Sequence, residues 1–94
     1  METQFIKILV VDDEVNSTIL LKKVLEKKGY LPETENDSIA ALARIENEEF
    51  DIIISDLQMP DVSGTDLLKA AKKNTLFIMI TGFGSIDSAV ESMK

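Results

Sequence analysis

An α/β architecture is expected for this chain, with a parallel sheet between two layers of helices. Three observations lead there. Four apolar runs alternate with stretches whose apolar residues recur at helical spacing, and that alternation means βαβ units with right-handed crossovers. The strongest runs are almost unbroken, as in strands buried on both faces of a parallel sheet. Acidic residues then follow where two of these runs stop, at Asp12-Asp13-Glu14 and at Asp56. In open α/β sheets the carboxyl ends of the strands form the ligand-binding edge.

The first strand is Ile6–Val11, mostly β-branched and central in the sheet. A first helix follows, with Val15, Ile19, Leu20, Val24 and Leu25 as its inward face. Lys22, Lys23, Lys27 and Lys28 suit the negative end of its dipole, and Gly29 stops it. Tyr30–Thr34 is a weaker strand. Pro32 lies inside it and marks an edge, because proline cannot donate to a ladder. Asn36-Asp37-Ser38 offers caps for a second helix that runs to about Glu46, with Ala41, Leu42 and Ile45 inward.

Phe50–Ser55 is the third strand, and it delivers Asp56 to the carboxyl edge. Met59-Pro60 ends regular structure, and Gly64 lets the loop turn. The third helix is expected from about Thr65 to Lys73, with Leu67, Leu68 and Ala71 inward. Leu76–Ile80 is the fourth strand. The loop Thr81-Gly82-Phe83-Gly84 leads to a fourth helix capped by Ser85, with Ile86, Ala89, Val90 and Met93 on one face. With strand 2 at an edge, the order 2-1-3-4 follows. That is most of the flavodoxin-like order, a three-layer α/β/α fold whose switch point lies between strands 1 and 3.

Composition narrows the chemistry. Ninety-four residues suggest a single domain over residues 1–94, and 45% apolar with 29% charged residues is ordinary for a globular protein. No apolar run approaches the length of about 18 residues that marks a membrane span, and no secretory signal is visible, so a cytoplasmic location is expected. With no cysteine and no histidine, thiolate and imidazole chemistry is excluded, and any metal must be held by oxygen. A net charge of −7 argues against direct nucleic-acid binding.

Each of these residues has a plain structural explanation when taken singly. Asp12 and Asp13 favour the positive end of the first helix, Asp56 forms a turn, and Thr81 and Ser85 serve as caps. Taken together, three carboxylates at adjacent strand ends repel one another, and a hard divalent cation such as Mg²⁺ resolves that repulsion. A carboxylate beside such a cation can attack a phosphoryl group and become an aspartyl phosphate. Thr81 stands where its hydroxyl could meet a phosphoryl oxygen.

The motifs Ile8-Leu9-Val10-Val11-Asp12-Asp13-Glu14, Asp51–Ser55 followed by Asp56-Leu57-Gln58-Met59-Pro60 and Gly64, and Ile78–Thr81 followed by Gly82 resemble the receiver (CheY-like) domains of two-component response regulators. The stretch from Ile80 to Lys94 is most similar to receivers of the nitrogen-regulator class, which usually precede ATPase and DNA-binding modules in transcription activators. The resemblance implies that Asp56 accepts a phosphoryl group from a phosphohistidine on a sensor histidine kinase. It also implies that Asp13 and Asp56 ligate Mg²⁺, with Asp12 ligating or acting through water and Gln58 giving a backbone carbonyl. Thr81 would be the hydroxyl switch. The domain would be a signalling phosphoacceptor rather than a turnover enzyme, and would neither bind nucleic acid directly nor enter a membrane.

The family pattern continues into a fifth strand and fifth helix that the sequence lacks, including a lysine that pairs with the phosphoryl group. The connection from Lys72 to Leu76 is also short for the family. The expectation is therefore a C-terminally truncated receiver whose open face self-associates, most simply as a homodimer. Impaired phosphorylation with retained Mg²⁺ binding is expected too. Two other functions compete. One is a binding module that holds Mg²⁺ but is not efficiently phosphorylated. The other is an Asp-nucleophile phosphatase, against which Gln58 stands where such enzymes want a second carboxylate.

Overall fold

The computed structural model describes residues 6–80, which run β1 (Ile8–Val11), α1 (Val15–Lys27), β2 (Glu33–Glu35), α2 (Ser38–Asn47), β3 (Ile52–Asp56), α3 (Gly64–Ala70) and β4 (Leu76–Ile80). All strand pairs are parallel and the order is β2-β1-β3-β4, as expected. The expected fourth helix and the Thr81–Gly84 loop lie outside the described residues.

Alternation along β1 builds two cores. Leu9 and Val11 face one way, joined by Ile53 of β3, Ala41 and Ile45 of α2, Phe50, and Leu67 of α3. Ile8 and Val10 face the other way with Ile54, against Leu21 and Leu25 of α1. Helices thus cover both faces, and the three-layer α/β/α arrangement stands. Each fully buried Leu, Ile or Val in these clusters contributes about 1.5–3 kcal/mol.

Local signals set the helix ends. Asp37 caps α2 by accepting from the amides of Ile39 at 2.9 Å and Ala40 at 3.4 Å. Ser63 and Asp66 form a reciprocal capping box at the start of α3. Gly29, at φ 95°, closes α1: its amide donates to Glu26 O at 3.0 Å and the Tyr30 amide to Leu25 O at 3.1 Å. These two bonds form a Schellman motif.

The structure corrects several expectations. Val15, Ile19, Leu20 and Val24 were expected inward but are exposed. Only Leu25 of that expected face packs on the sheet, and α1 turns Thr18 and Leu21 inward with it. A polar contact accompanies this rotation: the Thr18 hydroxyl, 2% exposed, accepts from Asn36 Nδ2 at 3.0 Å and donates to Val15 O at 2.8 Å. A single helix covers this face among the described residues, so Leu76 and Ile78 of β4 are exposed beside it.

β1 begins at Ile8 rather than Ile6, and β2 occupies Glu33–Glu35, so Pro32 precedes the strand instead of lying within it. β3 starts two residues later than expected and includes Asp56 itself. α3 ends at Ala70, not Lys73, and leaves Leu68 exposed. Ala71 takes an extended conformation, and Lys72 Nζ reaches the last carbonyls of α2, Ile45 O at 2.9 Å and Glu46 O at 3.2 Å.

Candidate functional site

Strand register assembles the site. Val11 pairs with Ser55, so Asp12 and Asp56, the next residue on each chain segment, meet at the carboxyl edge of the sheet. Asp13 follows on the loop into α1. One carboxylate oxygen from each of Asp12, Asp13 and Asp56 lies within 4.8 Å of the other two. The structure therefore brings together the three acids singled out in the sequence.

Their environments differ. Asp13 is exposed, Asp12 is half-buried, and Asp56 is 6% exposed. Burial pushes the Asp56 carboxyl above its ordinary range. The Gln58 amide opposes that shift through a 3.4 Å bond to Asp56 Oδ1, and the negative charge of Asp13 adds to it. Burial also raises Asp12, against a 2.9 Å bond from the Glu14 amide to Asp12 Oδ1, with Asp56, Asp13 and Glu14 adding repulsion. Crowded carboxylates held partly out of water favour either a proton or a cation. Three hard oxygen donors, with no thiol or imidazole in the chain, fit Mg²⁺.

Gln58 is exposed on the loop after β3. Thr81 lies outside the described residues. Beneath the loop, the Gly64 amide donates to Leu57 O at 2.8 Å. A Cβ on Gly64 would collide with Asp56 O, with Met79 Sδ at 2.6 Å and with Leu57 Cα at 2.9 Å. Glycine there is a matter of close approach as well as of turning.

Two residues were read from the sequence only as caps and prove to be tertiary contacts. Asn36 Nδ2 donates to Asp12 O at 2.8 Å and so orients the peptide between Asp12 and Asp13. Ser38 Oγ donates to Pro60 O at 2.5 Å. Their partners lie more than 20 residues away, so no local pattern announces them. Asn36, Asp37 and Ser38 also line a depression of about 330 Å³ at the mouth of the site, together with Asp13, Pro60 and Asp61.

The chain matches the family model described as the response regulator receiver domain over residues 8–94. It is 34% identical over 91 residues to the sporulation initiation phosphotransferase F of Bacillus subtilis (strain 168), covering 94% of this chain and 73% of that one. It is 30% identical over 97 residues to the transcriptional regulatory protein ZraR of Klebsiella oxytoca, covering 100% of this chain but only 22% of ZraR. The chain thus spans about a fifth of that regulator's length. A solved complex of the histidine kinase ThkA with the response regulator TrrA aligns with a TM-score of 0.73 and 34% identity, covering 85% of this chain and 72% of the matched one.

Proposed function

The chain belongs to the response regulator receiver domain family, and from that premise we propose that Asp56 accepts a phosphoryl group from a phosphohistidine of a partner sensor kinase. Receiver domains are phosphoacceptor modules of two-component signalling rather than turnover enzymes. The observation that carries this reading is the meeting of Asp12, Asp13 and Asp56 within 4.8 Å at the carboxyl ends of β1 and β3.

Asp12, Asp13, Asp56 and the backbone carbonyl of Gln58 would hold Mg²⁺. Bound there, Mg²⁺ offsets the charge of the phosphoryl oxygens during transfer. Asp56 supplies the carboxylate oxygen that bonds to phosphorus. The bond from phosphorus to the donor imidazole breaks, and its electron pair stays on the imidazole. The Gln58 amide holds Asp56 Oδ1 and orients the carboxylate. The hydroxyl switch falls to Thr81, the residue after Ile80, and Ile80 pairs with Asp56. A two-state shift in the segment after β4 would carry the signal.

The likeness to ZraR, a transcriptional regulator, supports a transcriptional output. A kinase partner acting in the cytoplasm suits a chain in which no described helix is long and apolar enough to cross a membrane. A second reading, self-association as a homodimer without efficient phosphorylation, draws support from Leu20 and Val24 of α1 and Leu76 and Ile78 of β4, all exposed.

The test is intact mass before and after incubation with Mg²⁺ and acetyl phosphate. One added phosphoryl group is expected, absent without Mg²⁺ and absent in Asp56→Ala. An unmodified wild-type mass, with a dimer by sedimentation, would favour the second reading.

A further inference from the structure

We infer that Ser38 is a positioning residue for the Mg²⁺ site: its hydroxyl staples the start of α2 to the Pro60–Val62 turn and so sets the path of the loop that carries Gln58 past Asp56. This rests on the phosphoacceptor reading above.

The argument begins with burial. Ser38 is 4% exposed, and a buried hydroxyl needs partners. It has two, both on one turn 22 and 24 residues away. Ser38 Oγ donates to Pro60 O at 2.5 Å and accepts from the Val62 amide at 3.3 Å. Asp37 already caps α2, so the Ser38 hydroxyl is not needed for that task.

The turn it holds is an unusual one. The Val62 amide also donates to Pro60 O at 2.7 Å, closing three residues around Asp61, whose φ is 70°. A tight three-residue turn with positive φ at its centre is rare and strained. Such a conformation persists only where the surroundings over-determine it. From outside the loop the Val62 side chain packs on the core, and among the described residues the Ser38 hydroxyl supplies the polar contact, to Pro60 O and the Val62 amide.

The rest of the loop is tied at its base. The Leu57 amide donates to Ile80 O at 2.6 Å, and the Gly64 amide to Leu57 O at 2.8 Å. Gln58 and Met59 form the span between that base and the stapled turn. Releasing the turn frees the span, and with it the backbone that would meet the metal.

Mg²⁺ affinity by titration calorimetry, on wild type, S38A, D61G and the double variant, tests this. S38A is expected to weaken binding about tenfold, the low end of what loss of an outer-shell partner costs. In the D61G background the same change should cost under about threefold, because glycine takes positive φ without strain. In metal-free protein, amide exchange at Val62 and Ser63 should be faster in S38A than in wild type. Should S38A not fold, S38C, close in shape and a weaker hydrogen-bonder, carries the same expectations. Affinity within about twofold of wild type, or an equal loss in both backgrounds, would overturn the positioning role while leaving the phosphoacceptor reading intact. No Mg²⁺ binding by the wild-type chain would overturn both.

Discussion

Gly64→Ala probes how tightly the phosphoacceptor is seated. The new methyl would meet Asp56 O, Met79 Sδ at 2.6 Å and Leu57 Cα at 2.9 Å. Met79 can shift, but the other two atoms are backbone of the strand end and loop that carry the site. Overpacking of this kind costs about 1–3 kcal/mol, and the rigid neighbours place it at the upper end. Alanine returns up to about 1 kcal/mol of helix propensity, less at the first position of α3. The net expectation is a loss of about 2 kcal/mol. For a chain of this length that lowers Tm by about 8–16 °C. Circular dichroism melts in EDTA measure it. Because the displaced atom belongs to Asp56, Mg²⁺ affinity should fall in the same variant. A Tm within about 2 °C of wild type, with unchanged Mg²⁺ affinity, would refute the close-approach argument.

Asp12→Asn should stabilise the metal-free protein at neutral pH. Burial and repulsion raise the Asp12 pKa above 3.8, so the folded state holds the proton more tightly than the unfolded state does. That makes the ionised carboxylate a destabilising group, and its penalty fades as pH falls from the raised folded value toward 3.8. Urea midpoints of the two proteins should therefore converge on acidification, and a gap that widens instead would contradict the sign. Asp37→Ala removes the acceptor for the Ile39 and Ala40 amides, and should cost about 1 kcal/mol in urea denaturation. No loss there would mean that solvent replaces the cap without penalty.

Strand and site were legible where periodicity and chemistry agreed. Ile8–Val11 and Leu76–Ile80 are apolar runs with one sensible conformation, and both are strands. The meeting of Asp12 and Asp56 followed from their places at the carboxyl ends of β1 and β3 once those strands were adjacent. α1 was harder. Its apolar residues form more than one stripe, and spacing alone favoured Val15, Ile19, Leu20, Val24 and Leu25, of which only Leu25 packs on the sheet. The helix packs on Thr18, Leu21 and Leu25, with Asn36 bonded to the Thr18 hydroxyl. α3 was expected to run to Lys73 but ends at Ala70, and Lys72 binds the end of α2 instead.

What this sequence determined by itself was the order of elements and the acids that gather at one end of the sheet. Those follow from local apolar patterning and from the direction of each strand; β2 does lie at an edge, but Pro32, expected inside it, precedes it. Only the tertiary structure decided which face of α1 is buried, how close Gly64 lies to Asp56 and what Asn36 and Ser38 hold. Each of these joins residues distant in sequence through hydrogen bonds or hard contacts, and such contacts exist only once the layers have packed.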